Sequence, residues 1–158
     1  MKTCFTAAAA FGGCTTLRWY LDRSSRRNVS LCGDRVRLTD VRNSGAAFGL
    51  PIPRELAEPL SAAALGAVWA LRRRSPLGAG LALGGGYSNL WERIRCGEVC
   101  DYLQFPKAPE PWNRYVFNLA DIAILAGGLC LAAGGLQKER ADHGKTHVRH
   151  HSHCKKLL

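Results

Sequence analysis

Two aspartates, Asp101 and Asp121, offer the clearest chemistry in the sequence. Asp121 lies about one turn inside the most apolar segment of the chain, in the stretch FNLAD at residues 117–121. An ionisable side chain is costly in such a segment and is a functional candidate by default. The alternative is a carboxylate in the first turn of a helix, stabilised by the helix dipole in the headgroup region. Position alone does not decide between these two interpretations.

Asp101 gains its interest from its relation to Asp121. It follows the third apolar segment, in the stretch VCDY at residues 99–102. If the third and fourth apolar segments are antiparallel neighbours, the two carboxylates meet at the same membrane face. Two carboxylates held close together cannot both ionise easily, so the pKa of one rises. One can then activate a water molecule while the other, protonated, polarises a carbonyl group. Such a pair can hydrolyse a peptide bond without a metal or a covalent nucleophile.

Four apolar segments must position this pair. They cover residues 3–21, residues 56–71, residues 77–90 (continuing to 94) and residues 116–136. A helix needs ~20 residues to cross a hydrocarbon core of ~30 Å, and only the fourth segment meets this cleanly. The second and third need arginine side chains that reach the headgroups from their ends. The pattern predicts an all-α membrane protein with four transmembrane helices. The first segment has a rival interpretation as a secretory signal peptide, because a lysine precedes a short alanine-rich run.

The charge distribution indicates a lipid surface as the partner. The chain of 158 residues has a formal net charge of +10, and its basic residues flank the apolar blocks. This pattern favours anionic lipid headgroups, and no nucleic acid is expected as a partner because no recognition motif is present. The compact triplet Arg72-Arg73-Arg74 favours an orientation with both termini in the cytoplasm. The arginines in residues 22–53 would lie on the opposite side of the membrane, and they nearly equalise the count of basic residues on the two sides.

The polar C-terminal segment differs from the rest of the chain. We divide the sequence into a four-helix membrane domain, residues 1–136, and a basic, histidine-rich tail, residues 137–158, expected to be disordered and cytoplasmic. The alternative is a metal-binding tract, formed by His143, His147, His150, His151, His153 and Cys154. The cysteines number seven, so they cannot all pair internally. A disulfide among Cys32, Cys96 and Cys100 remains open.

Four sequence blocks carry a resemblance to a known family. Residues 42–49 (RNSGAAFG) resemble an N-x-G-A-A-F block, and residues 84–93 (GGGYSNLWER) resemble a G-G…G-N-x-x-D-R block. Residues 99–102 (VCDY) resemble a V-x-D-F block, and residues 117–121 (FNLAD) resemble an F-N-x-A-D block. These blocks are typical of type II signal peptidases, the lipoprotein signal peptidases, and occur here in the same order and spacing. The chain therefore resembles that aspartyl peptidase family from residue 42 to residue 121.

The resemblance implies a role for each matching position. Asp101 and Asp121 would be the catalytic pair of an aspartic endopeptidase. The positions that would orient this pair and bind the substrate backbone are Asn43, Gly45, Asn89, Arg93 and Asn118. The implied substrate is a prolipoprotein whose cysteine carries a diacylglyceryl group, cleaved on the amino side of that cysteine. No cofactor and no metal are implied.

The resemblance also implies a place for the protein in the cell. We expect a multi-pass monomer in the bacterial cytoplasmic (inner) membrane, surrounded by membrane lipids, with its active site at the extracytoplasmic face. A small extracytoplasmic β-like cradle would be built from the loop around residues 31–50. The lipid of the substrate would lie between helices at the edge of the bilayer.

Three positions depart from the family pattern and keep two alternatives open. Cys14 stands where the family has an acidic residue, Ser88 replaces a glycine, and Glu92 replaces an aspartate. The missing acid motivates a non-catalytic relative that binds lipidated peptides. A small proton- or cation-coupled transporter using Asp121 is the second alternative, and it predicts that Asp101 is dispensable.

Overall fold

The computed structural model describes residues 1–24, 28–44 and 53–154, and the backbone alone for residue 54 and residues 137–154. Within these ranges the chain forms mostly helices, with one small sheet. The helices are α1 (Lys2–Arg23), α2 (Arg54–Ala70), α3 (Pro76–Cys96) and α4 (Leu119–Cys154). The strands are β1 (Val29–Leu31), β2 (Val36–Asn43), β3 (Val99–Gln104) and β4 (Val116–Phe117).

Each predicted apolar segment lies largely in a helix. The fourth begins later than expected, because Val116 and Phe117 pair with β3 before the helix starts. Of the helices described, α4 alone contains a stretch long and apolar enough to cross a membrane, over Leu119–Leu136 with a mean hydropathy of 1.9. Four membrane crossings therefore remain a prediction. The backbone of α4 continues as a helix to Cys154, so the proposed division at residue 137 falls inside it and also stays a prediction.

The sheet is larger than the predicted cradle. Its four strands are antiparallel and lie in the order β1-β2-β3-β4. The predicted cradle segment supplies β2 and part of β1, while residues 45–50 of that segment lie outside the described residues. Strands β3 and β4 come from the loop between α3 and α4. The sheet therefore links the end of α3 to the start of α4 by hydrogen-bonded strands.

Helix α3 is the central element of the bundle and packs against α1, α2 and α4. Its start is defined by the Ser75 hydroxyl, which accepts the Gly78 N–H at 3.2 Å, and by Pro76 at the first helical position. It ends at Gly97, whose φ of 80° lies in the left-handed region, which glycine adopts without steric cost. The two ends thus fix the length of the helix that carries Asn89 and Arg93.

Close approach to its neighbours requires glycine along α3. A Cβ added to Gly84 would lie 2.5 Å from the Ala7 carbonyl oxygen of α1, and one on Gly85 would lie 2.5 Å from the Ala120 carbonyl oxygen of α4. Both contacts are to backbone, which cannot move aside as a side chain can. Helix α4 therefore begins against the face of α3 that contains Gly85.

We expect Gly85→Ala to destabilise the protein, because the new methyl group pushes the first turn of α4 away from α3. Overpacking of this kind costs about 1–3 kcal/mol. Gly128→Ala in α4 is the matched control, since a Cβ there meets nothing within 4 Å and the helix gains up to about 1 kcal/mol. Thermal unfolding in detergent measures both. Equal melting temperatures for the two variants would contradict the close contact between Gly85 and the first turn of α4.

Candidate active site

The first turn of α4 is held by a pair of reciprocal hydrogen bonds. The Asn118 Oδ1 accepts the backbone N–H of Asp121 at 2.9 Å, and the Asp121 Oδ2 accepts the backbone N–H of Asn118 at 3.0 Å. Asn118 directly precedes the helix, so this is the arrangement of a capping box, with the residue before the helix and the third residue inside it satisfying each other. The carboxylate of Asp121 is thereby fixed at the end of α4 nearest the sheet.

A tyrosine on the neighbouring strand supports the same turn. The Tyr102 hydroxyl accepts the backbone N–H of Leu119, the first residue of α4, at 3.1 Å. Tyr102 is buried, and that burial raises the pKa of its hydroxyl to about 12. The phenol therefore stays neutral and serves as a fixed acceptor for a backbone donor at the start of the helix.

Asp101 lies on β3 and receives two side-chain amides. Its Oδ1 accepts the Asn118 Nδ2 at 2.9 Å, and its Oδ2 accepts the Asn43 Nδ2 at 3.1 Å. Asn43 is the last residue of β2, which pairs with β3, so the sheet brings it beside Asp101. With an exposed fraction of 5%, Asp101 depends on these amides for the hydrogen bonds that water would otherwise supply.

Asn118 joins the two carboxylates into one site. It binds Asp101 through its side-chain nitrogen and Asp121 through its backbone N–H. The remaining oxygen of Asp121, Oδ1, accepts the Asn89 Nδ2 from α3 at 2.9 Å. Each of the four carboxylate oxygens therefore accepts an N–H, and the donors come from β2, α3 and the residue that precedes α4.

The pKa of Asp101 is raised to about 6. The largest cause is burial, which disfavours the charged form, and the second is the negative charge of Asp121. The hydrogen bonds from Asn43 and Asn118, together with the positive charge of Arg93, act in the opposite direction. Proximity of the two carboxylates thus contributes to the shift, as the sequence predicts for a pair at one membrane face.

Of the seven predicted site residues, six lie in the described part of the chain and meet in one place. Arg93 has an exposed fraction of only 8% and lies near enough to Asp101 for its charge to act on that carboxyl. Gly45 lies outside the described residues. The roles implied for these residues stay predictions, although their placement around the two carboxylates is what such roles require.

The sequence analysis gave no role to Arg18 of α1. Its guanidinium forms an ion pair with the Glu92 carboxylate of α3, and the same Glu92 oxygen accepts the backbone N–H of Cys100 on β3. This contact connects α1, α3 and β3, at the residue that precedes Asp101. Arg18 interrupts an otherwise apolar segment, and that interruption was the signal that could have revealed a buried partner.

The cysteines near the site are free thiols. Cys32 and Cys96 are exposed and Cys100 is buried, and none of the three forms a disulfide. The Cys100 Sγ donates to the Asp40 Oδ1 at 3.2 Å, and burial is the first cause that raises the pKa of this thiol to about 12. Within the described ranges, no three His, Cys, Asp or Glu side chains are grouped so that they could hold a metal ion.

Comparison with known proteins adds an independent line of evidence. Residues 8–136 match the family model described as signal peptidase (SPase) II. A lipoprotein signal peptidase of Halothermothrix orenii is 35% identical over 120 residues, which are 72% of this chain and 79% of that protein. One of Pelotomaculum thermopropionicum is 40% identical over 103 residues, 60% of this chain and 64% of that protein.

Two further matches differ in extent. A lipoprotein signal peptidase of Nitrobacter hamburgensis is 41% identical over 81 residues, 48% of this chain. The chain thus spans about half of that relative, 49% of its length. A solved bacterial membrane enzyme has the same fold, with a TM-score of 0.74 at 17% identity over 87% of this chain and 88% of that chain.

We expect Asp101→Asn to raise the melting temperature at pH 7.5 and to change it less at pH 4. The folded-state pKa of Asp101 is raised from 3.8 to about 6, so the stability of the wild type falls as pH rises through that window. The amide avoids this loss because its oxygen accepts from Asn118 and its NH2 can donate to Asn43 after that side chain flips.

Asp34→Asn is the control of opposite sign. Hydrogen bonds from Ser30 and then Arg37 lower the pKa of Asp34, so its contribution is present above pH 4 and is lost as pH falls. Thermal unfolding from pH 2.5 to pH 7.5 distinguishes the two variants. A lower melting temperature for Asp101→Asn at pH 7.5 would contradict the conclusion that burying the ionised Asp101 side chain destabilises the wild type.

Proposed function

The chain belongs to the signal peptidase II family, and on that basis we propose that it removes signal peptides from prolipoproteins as an aspartic endopeptidase. The substrate carries a diacylglyceryl group on its cysteine, and cleavage falls on the amino side of that cysteine. One observation carries the proposal. A buried carboxylate, Asp101, and a partly buried one, Asp121, share the side chain and backbone of Asn118, and each of their four oxygens accepts an amide N–H.

The proposed reaction uses one proton shared by the pair. A water between the two carboxyl groups attacks the scissile carbonyl carbon while one carboxylate takes its proton. The other carboxyl group, protonated at the outset, donates a hydrogen bond to the carbonyl oxygen and stabilises the developing charge. The tetrahedral intermediate collapses when the C–N bond breaks and the amine takes a proton from the pair. The new carboxyl terminus leaves with the signal peptide, and the pair again holds one proton.

The amides and the arginine have supporting roles in this proposal. Asn43, Asn89 and Asn118 hold the carboxylates in fixed orientations, so little reorganisation is needed during the reaction. Together with Arg93 they would bind the backbone of the substrate. Gly45 would let that backbone approach closely.

The proposed placement in the membrane follows from the two ends of α3. The triplet Arg72-Arg73-Arg74 precedes this helix, and the sheet follows it. Basic residues in a short loop favour the cytoplasmic side, so the sheet and Asp101 would lie on the extracytoplasmic side of the inner membrane. The other helices would cross the bilayer beside α4, and the protein would act as a monomer.

The shared contacts of Asn118 favour this function over the two alternatives. A transporter that uses Asp121 for its ion has no need of a second buried carboxylate tied to the same asparagine. A non-catalytic relative has no need of Asp101, whose burial raises its pKa to about 6. The pair Arg18–Glu92 provides a partly buried ion pair between α1 and α3, although Cys14 replaces the acid expected in α1.

The first test is cleavage of a diacylglyceryl-modified prolipoprotein by the full chain purified in detergent. We expect the wild type to release the signal peptide with or without EDTA. Asp101→Asn and Asp121→Asn should each reduce the rate by at least about a thousandfold, since each removes one half of the proton transfer. A gel shift of the product measures the reaction.

Asp34→Asn is the matched control, because its exposed carboxylate lies outside the site and its loss should leave the rate unchanged. Cleavage that persists in Asp101→Asn would rule out the paired mechanism. A folded wild type that binds the substrate without cleaving it would favour the non-catalytic alternative, and Cys14→Asp would then be the next variant.

The pH dependence of kcat/KM tests the role of Asp101 directly. Because the pair needs one proton, kcat/KM should fall as pH rises through about 6, where Asp101 loses its proton. Asn43→Ala removes a hydrogen bond that favours the ionised form, so the alkaline limb should move to higher pH. Asn113→Ala, an asparagine away from the pair, should leave the limb in place. An unshifted limb in Asn43→Ala would exclude Asp101 as the group that titrates.

A further inference from the structure

An open groove runs between α1 and α3 on the outside of the bundle. Its volume is ≈ 440 Å³, and its wall is almost entirely hydrocarbon. We call it the α1–α3 groove, and it is lined chiefly by Ala7 and Phe11 of α1 and by Tyr87, Leu90, Trp91 and Ile94 of α3.

The α1–α3 groove is separate from the candidate active site. Successive residues of a helix point about 100° apart, so Leu90 points in a different direction from Asn89, which binds Asp121. Gly86 lies on the face between them and is covered by Leu65 of α2, which would lie 2.6 Å from an added Cβ. Helix α2 therefore stands between the groove and the carboxylates.

Three of the lining residues are exposed although they are large and mostly apolar. The exposed fraction is 52% for Tyr87, 50% for Trp91 and 53% for Ile94. Exposing such a surface to water costs about 25 cal/mol per Å² of apolar area. Covering it with a hydrocarbon chain removes this cost. The occupant that fits the wall of the groove is therefore an acyl chain.

One cationic group lies beside the groove wall, and a second lies near the end of α1. The Arg95 guanidinium is 5.6 Å from the centre of the Trp91 ring, and the Arg23 guanidinium is 4.1 Å from the centre of the Trp19 ring. Both arginines are in the last turns of their helices. Neither makes an ion pair with any residue whose side chain is described.

The two arginines lie at the same end of the bundle because α1 and α3 run parallel. Gly80 of α3 approaches Thr3 and Thr6 of α1, and Gly84, one turn later, approaches Ala7 and Ala10. Because the residue numbers of the contacts rise together in α1 and α3, the two helices are parallel. Their C-terminal residues Arg23 and Arg95 therefore both lie at the sheet end. Tryptophan beside arginine at such a position is typical of a membrane–water interface.

We propose that the α1–α3 groove binds an anionic phospholipid. One acyl chain lies along Phe11, Leu90 and Ile94, and the phosphate group contacts Arg95, with Arg23 adding attraction from α1. The apolar wall fits an acyl chain, and the two arginines favour a headgroup with net negative charge over a zwitterionic one. This site serves the fold and is distinct from the place where a lipidated substrate would be cut.

The test uses the full chain in detergent, titrated with dioleoyl phosphatidylglycerol or dioleoyl phosphatidylcholine and read by native mass spectrometry and melting temperature. We expect one phosphatidylglycerol to be retained per chain, with weaker retention of phosphatidylcholine. Arg95→Gln should weaken phosphatidylglycerol binding about fivefold, the effect of about one basic residue near an anionic lipid. Arg35→Gln is the control, since it removes an exposed charge that lies in the sheet region between β1 and β2.

Ala8 of α1 also lines the groove. Ala8→Trp fills the groove and should abolish retention of both lipids. If that variant fails to fold, the comparison of Arg95→Gln with Arg35→Gln decides alone. Three results would overturn the proposal: equal binding of the two lipids, equal binding by Arg95→Gln and wild type, or the same stabilisation by glycerol phosphate without a chain. No peptide cleavage is measured, so the outcome is independent of the proposed peptidase activity.

Discussion

The reciprocal hydrogen bonds between Asn118 and Asp121 are the interaction on which the site depends. Without them the first turn of α4 has unsatisfied donors, and the Asp121 side chain is free to rotate away. The same asparagine donates its side-chain N–H to Asp101. A local rule for starting a helix therefore also sets the relation between two carboxylates that are distant in sequence. Tyr102 reinforces the arrangement from β3 by accepting the Leu119 N–H.

Close packing of backbone is what brings the other donors to this point. The centre of the bundle contains few large side chains, and among the described residues Leu83 and Val99 are the largest that are fully buried. Glycines on α3 let α1 and α4 approach to backbone contact instead. Such contacts gain dispersion energy over a long interface and place Asn89 within hydrogen-bonding distance of Asp121. The ion pair between Arg18 and Glu92 then fixes α1 against the same helix.

The sequence predicted the helices and Asp121 from local rules, whereas Asp101 became a candidate only through its expected pairing with Asp121 and through the family resemblance. Apolar segments of sufficient length predict helices, and an ionisable residue inside the fourth segment made Asp121 a candidate. The sheet was predicted only in part, because β3 and β4 are short and their pairing is not encoded in a periodic pattern. The Tyr102 hydroxyl and the partner of Arg18 were missed for the same reason. Both are contacts between elements far apart in the chain, which periodicity does not report.

The pairing of β4 with β3 positions Asn118 relative to Asp101. Phe117 pairs with Leu103 of β3, and the very next residue, Asn118, reaches across to Asp101. Sliding one strand by a single residue moves it by about 3.3 Å, more than the 2.9 Å that separates the Asn118 nitrogen from the Asp101 oxygen. The two-residue strand β4 therefore determines the spacing between Asn118 and Asp101. The strand register fixes how far Asn118 lies from Asp101. A molecule that bound between β3 and β4 would therefore separate the two carboxylates from their shared asparagine without touching either carboxylate.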